Sequence, residues 1–151
     1  MGETAHEVAE AQREMVRIGI ERPAAMATGK PEDWAAGEPL ETFPVVGYAD
    51  IAEARGQGED PHVIDLRRDD ERRAGHIVGT QHVPLHELLS RVDEVPTDRQ
   101  IWLHCAAGYR ASVGASILKA AGRDVVLVDG DFYPNAITAG LELSAEEPAT
   151  A

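Results

Sequence analysis

One cysteine, Cys105, stands among 151 residues. A single thiol excludes an internal disulfide and fits a reducing compartment, most simply the cytoplasm. It also limits chemistry, because no second thiol of this chain can resolve an oxidised or sulfur-loaded Cys105. Basic residues are scarce: 14 Lys and Arg against 27 Asp and Glu leave a formal net charge of −13. Such a balance opposes nonspecific attachment to nucleic acid or to an anionic membrane, so neither is expected as a partner. A small anionic ligand stays compatible, since donors inside a pocket outweigh distant charges screened by salt. No apolar run approaches the ~18 residues of a membrane span. The start, Met1-Gly2-Glu3-Thr4-Ala5-His6, has no basic segment ahead of an apolar stretch, so a signal peptide is not expected. His6 stands where a myristoylation site needs Ser or Thr.

What is present suffices for one domain with an appendage. Hydrophobic residues make up 43%, enough for a core. Residues 4–18 have the pattern of an amphipathic helix: Thr4 and Glu7 at capping-box spacing, Val8, Met15 and Val16 near one face, and Gly19 as a stop. Residues 23–42, with prolines, glycines and scattered acids, predict an irregular arm. The chain therefore divides into a helix and arm (1–42), a compact domain (43–142) and an acidic, flexible tail (143–151).

Within the compact part, short apolar runs alternate with helical spacing. Strands are expected at Val45-Val46, 62–66, 81–83, 100–104 and 125–128. Helical segments are expected at 50–55, 69–73, 86–92 (Leu88, Leu89 and Val92 inward) and 110–121 (Val113, Ile117 and Leu118 inward). That alternation predicts an α/β fold in three layers, a central and mainly parallel sheet flanked by helices.

"HCAAGYRAS", residues 104–112, places Cys105 just beyond an expected strand. In open α/β sheets ligands gather at the carboxyl ends of strands. Ala106, Ala107 and Gly108 are small enough for a tight turn whose amides converge, a shape that binds anions. A helix starting near Arg110 adds its positive end. These features favour the thiolate, the nucleophilic form of cysteine. Two readings stand side by side: a small buried core residue, or a nucleophile in an anion cradle. Strand, cysteine, small loop, arginine and helix in succession favour the second.

Three stretches resemble the rhodanese domain family. "VIDLRRDDERRAGHIVGTQHVPL" (63–85) is similar to its aspartate-ended strand, acidic turn and Gly-His-Ile motif; "WLHCAAGYRAS" to its active-site loop; "VVLVDGDF" (125–132) to its last core strand and turn. Val78, Thr80 and Asp131 depart from the usual residues. The resemblance spans about residues 43–140. It implies a rhodanese-like fold and a sulfurtransferase in which Cys105 carries a persulfide. The loop amides from Ala106, Ala107, Gly108, Tyr109 and Arg110 would hold the substrate, and the Arg110 side chain would neutralise a leaving sulfite. The implied partners are a small anionic sulfur donor and an external acceptor: cyanide, a small thiol or a protein thiol. No metal or organic cofactor is implied.

Asp65, Arg67 and His104 are expected behind the loop, tying strand end to turn or tuning the thiol. Tyr109 is expected at the pocket rim or in packing, and His76 as a buttress to its turn. His82 and His86 have a metal-like spacing, but Pro84 interrupts any shared helix. The charge run 69–73 has the composition of a solvated face. Two other classes remain. A cysteine phosphatase or arsenate reductase would want one more residue between Cys105 and Arg110, to make room for a tetrahedral anion. A sulfur carrier or partner-binding module without turnover is the other; residues 14–37 distantly resemble the join before the rhodanese domain of persulfide-dioxygenase fusions, in sulfide oxidation.

Overall fold

The computed structural model describes residues 2–17 and 25–145. The chain forms two compact units, Met1–Thr42 and Phe43–Ala151. The first contains α1 (Ala5–Arg17) and a short α2 (Pro31–Trp34). Thr4 Oγ1 accepts the Glu7 amide, as an N-cap should. Val8 is buried but Val16 is exposed, so the apolar face is narrower than its spacing suggested. The arm is less irregular than expected. Pro31 at the start of α2, with Asp33 accepting the Lys30 amide at 2.8 Å, nucleates one helical turn. Gly19 lies outside the described residues.

The second unit is built on five parallel strands in the order β1-β6-β5-β2-β4. They are β1 (Val45–Val46), β2 (His62–Asp65), β4 (Gln81–His82), β5 (Ile101–His104) and β6 (Val125–Val128). A separate antiparallel ribbon joins β3 (His76–Ile77) to β7 (Leu143–Ser144). The start of the tail expected at 143 is instead part of the fold, since Leu143 and Ser144 pair with Ile77 and His76; residues 146–151 lie outside the described residues. Helices α3 (Tyr48–Gly56), α4 (Asp69–Ala74), α5 (Tyr109–Ala120) and α6 (Phe132–Thr138) complete the unit. No helix among the described residues is long and apolar enough to cross a membrane.

Side chains alternate along each strand and separate two cores. Ile64, Ile101, Leu103, Val125 and Leu127 join α5 through Ala111, Ala115 and Leu118. Val63 and Val128 join Tyr48, Ile51, Phe132 and Ala136 on the other face, with Trp102 packed against them. Burial on both sides accounts for the nearly continuous apolar strands. The inward face of α5 is made of Ala111, Gly114, Ala115 and Leu118; Val113, expected inside, is partly exposed. Small residues let the helix lie close to the sheet. A Cβ at Gly114 would strike Leu66 Cδ1.

Residues 85–90 form turns, followed by a 3₁₀ turn at Val92–Glu94, in place of the expected helix. Amides there reach back three residues, Glu87 to Pro84 and Leu88 to Leu85. That tighter geometry buries Leu88 and exposes Leu89.

Candidate active site

Register brings the relevant strand ends together. Asp65 at the end of β2 pairs with His104 at the end of β5, and Cys105 follows directly. The Ile101, Leu103, Cys105 alternation carries the sulfur to the α5 side and His104 to the Tyr48 and Phe132 side. Between Cys105 and α5 the chain turns through Gly108, whose φ is +82°. A Cβ there would collide with Asp129 Oδ1, so the turn requires glycine. No main-chain carbonyl among the described residues takes the amides of Ala106, Ala107 or Gly108. The first-turn amides of α5, from Tyr109 and Arg110, lack intrahelical acceptors by geometry. Three N–H groups thus lie between the sulfur and the helix, and two more open the helix itself.

The loop is anchored from behind. Tyr48 Oη donates to the Cys105 carbonyl at 3.0 Å, and the Phe132 amide donates to the Ala106 carbonyl at 2.8 Å. His104 Nδ1 lies 3.5 Å from the same tyrosine hydroxyl, and its ring stacks on Phe132 at 5.4 Å. Burial pushes His104 down to about 4, so the ring is neutral at pH 7. Among the described residues its Nε2 has no hydrogen-bond partner, and it sits 3.9 Å from Asp65 Oδ2. Burial raises the Tyr48 phenol further above its ordinary range.

Asp65 and Arg67 form a buried pair beneath the loop. Arg67 Nη2 donates to Asp65 Oδ2 at 2.7 Å and to the Gly75 carbonyl at 2.8 Å. The guanidinium carbon lies 3.6 Å above the Phe132 ring. Burial alone would raise the Asp65 carboxyl; the hydrogen bonds from Arg67 and the positive groups around it bring it below the ordinary range. Arg72 spans to Thr80, through its hydroxyl at 3.0 Å and its carbonyl at 3.1 Å. His76 Nδ1 lies 3.2 Å from the Arg72 carbonyl at the same corner.

Arg110 is occupied. Its two terminal nitrogens donate to Glu71, Nη1 to Oε2 at 2.6 Å and Nη2 to Oε1 at 2.7 Å. This bidentate bond holds Glu71 below the ordinary carboxylate range and raises Arg110. Cys105 adds to the rise at Arg110, after the larger effect of Glu71. Glu71 belongs to the run expected to be a solvated face. Arg68 and Asp70 do pair there in solvent, while Glu71 turns inward.

Burial decides two expectations. Of the two readings of Cys105, the buried core residue describes its side chain, which is 1% exposed and lies in the aliphatic core with Leu66 and Ala111. Its place in the inward strand alternation, beneath the small-residue face of α5, puts it there. Tyr109 is 79% exposed and does not line the adjacent cleft, so only its amide faces the question of binding. That cleft, about 440 Å³, is bordered by Ala106, Arg67 and Glu71, with Phe132, Tyr133 and Pro134 as its apolar wall. Sequence reasoning missed Tyr48, Glu71 and Phe132. No local spacing could reveal Tyr48 or Glu71, because their partners lie 57 and 39 residues away. Among the described residues no group of three or more His, Cys, Asp or Glu side chains is placed to hold a metal ion.

The profile of the rhodanese-like domain matches residues 48–134, from the start of α3 into α6. The chain belongs to the rhodanese-like domain family. A rhodanese-related protein from Thermoplasma volcanium, 24% identical, superposes with a TM-score of 0.61 over 69% of this chain and 100% of that structure. Among curated relatives, an HTH-type transcriptional regulator of Mycobacterium tuberculosis is 32% identical over 108 residues, 70% of this chain and 42% of that protein. A protein named sulfurtransferase from Allochromatium vinosum is 30% identical over 69 residues, 46% of this chain and 64% of its own length. The rhodanese-like chain spans less than half the length of the first curated relatives it matches.

Proposed function

We propose that this rhodanese-like domain is a sulfurtransferase that moves a sulfane sulfur through a persulfide on Cys105. One observation carries the reading: the sole cysteine opens a loop whose amides meet no main-chain carbonyl among the described residues, and the loop ends in Arg110 in the first turn of α5. The relative named sulfurtransferase supports it. In the first half-reaction the Cys105 thiolate attacks the outer sulfur of thiosulfate or an organic persulfide. The new Sγ–S bond forms as the donor's sulfur–sulfur bond breaks, and its electron pair leaves with sulfite or a thiolate. In the second, an external thiol or cyanide takes the outer sulfur and returns the Cys105 thiolate. Covalent catalysis of this kind splits one displacement into two. Loop amides from Ala106 to Arg110 stabilise the negative sulfur at each stage. The acceptor is external because the chain holds no other thiol.

Burial of Cys105 requires its cover to open before a donor arrives. At the edge of the loop, the partly exposed Glu71–Arg110 pair opens at a cost of ~1 kcal/mol or less. That burial also favours a second reading, a carrier that loads and protects a persulfide without turnover. Thiocyanate formation from thiosulfate and cyanide tests both. The intact chain turns over, and Cys105→Ser falls to the uncatalysed background with an unchanged thermal melt. A fully active serine variant refutes the proposal, and loading without thiocyanate establishes the carrier.

A further inference from the structure

The cleft beside the Cys105 loop is poorly suited to an inorganic dianion. Phe132, Tyr133, Pro134, Ala74 and Ala106 give it apolar walls, while three carboxylates, Asp70, Glu71 and Asp131, outnumber the one guanidinium in its lining, Arg67. That guanidinium is already matched by Asp65, and Arg110, which does not itself line the cleft, is matched by Glu71. To reach the Arg110 guanidinium, thiosulfate must displace Glu71 from a bidentate bond; otherwise it has only the loop amides as donors. A donor with an apolar body would bury that body against Phe132 and Tyr133 and need no such exchange.

Building on the sulfurtransferase reading, we propose that the preferred donor is an organic persulfide with an apolar body and no negative charge beyond its terminal sulfur. Glu71 sets that preference by holding Arg110. In the step itself, the Cys105 thiolate attacks the outer sulfur of R–S–S–H. A Cys105 Sγ–S bond forms, the donor's S–S bond breaks, and its electron pair leaves on the inner sulfur as R–S⁻. The proton stays on the transferred sulfur. The exchange is redox-neutral: one persulfide is made as another is lost.

The test is single-turnover loading of the full chain, followed by intact-mass spectrometry, with benzyl persulfide generated in situ and with thiosulfate. Benzyl persulfide should load Cys105 about tenfold faster per unit concentration, and Glu71→Gln should narrow that ratio about threefold by speeding thiosulfate. Asp131→Asn, distant from the Arg110 pair in sequence and free of its hydrogen bonds, should narrow the ratio in the same direction if Glu71→Gln fails to fold. Tyr133→Ala should narrow it from the other side, by slowing benzyl persulfide. Faster loading by thiosulfate, or a ratio unmoved by these variants, overturns the preference while leaving the sulfurtransferase reading intact. Loading by neither donor overturns both.

Discussion

Asp65 and Arg67 meet under the Cys105 loop with side chains 0% and 2% exposed; Glu71 and Arg110 meet at its edge with 23% and 26%. Both are bidentate carboxylate–guanidinium pairs, yet their surroundings give them opposite characters. Opening the inner pair strands a charge in a dry interior next to neutral His104, so it holds one geometry. Opening the outer pair exposes both partners to water at a cost of ~1 kcal/mol or less. The inner pair builds the floor of the site.

Breaking each pair in turn tests that contrast. The largest effect is expected from Arg67→Met, which leaves Asp65 buried without its main partner and should cost about 3–5 kcal/mol in urea unfolding. A loss no greater than that of the outer pair would erase the distinction. Next comes pH. The unfolded chain takes up a proton on His104 below about 6.5, whereas the folded site refuses it until about 4. Stability attributable to this group is therefore whole above that window. It falls as pH drops through it, by about 3 kcal/mol in total. His104→Phe should flatten this stretch of the stability curve; an unchanged slope would locate the acid sensitivity elsewhere. Asp65 and Glu71, both depressed, add their losses at lower pH still. The smallest effect belongs to the outer pair. Glu71→Gln should shift unfolding by about 1 kcal/mol or less while changing donor choice. A large destabilisation would make Glu71 part of the floor rather than the edge.

Much of the sheet was legible from residue patterns. The strand expected at 125–128 is β6 to the residue, because an unbroken Val-Val-Leu-Val run fits a strand buried on both faces. The Cys105 loop was legible too, since small residues and glycine between a strand and a helix leave few geometries. Other parts were hidden. The β3–β7 ribbon consists of two-residue strands whose pairing is set by tertiary contact, and α6 hides behind Pro134, which a first helical turn tolerates. Helix α5 inverted expectation at Val113 because close approach to Leu66 selects alanine and glycine over larger apolar residues. The roles of Tyr48 and Glu71 come from contacts across the fold, and no local pattern encodes those. Burial of the thiol followed from the same alternation that buries Ile101 and Leu103, a consequence outweighed in the sequence by the loop's resemblance to an open cradle.

Everything functional rests on Cys105 accepting sulfur. Intact-mass spectrometry with peptide mapping, after exposure to a sulfane donor and removal of the excess, tests this most directly. The account predicts a gain of one sulfur atom on the Cys105 peptide, lost again on adding a thiol acceptor. A chain that stays unmodified, or carries added sulfur anywhere else, would contradict it.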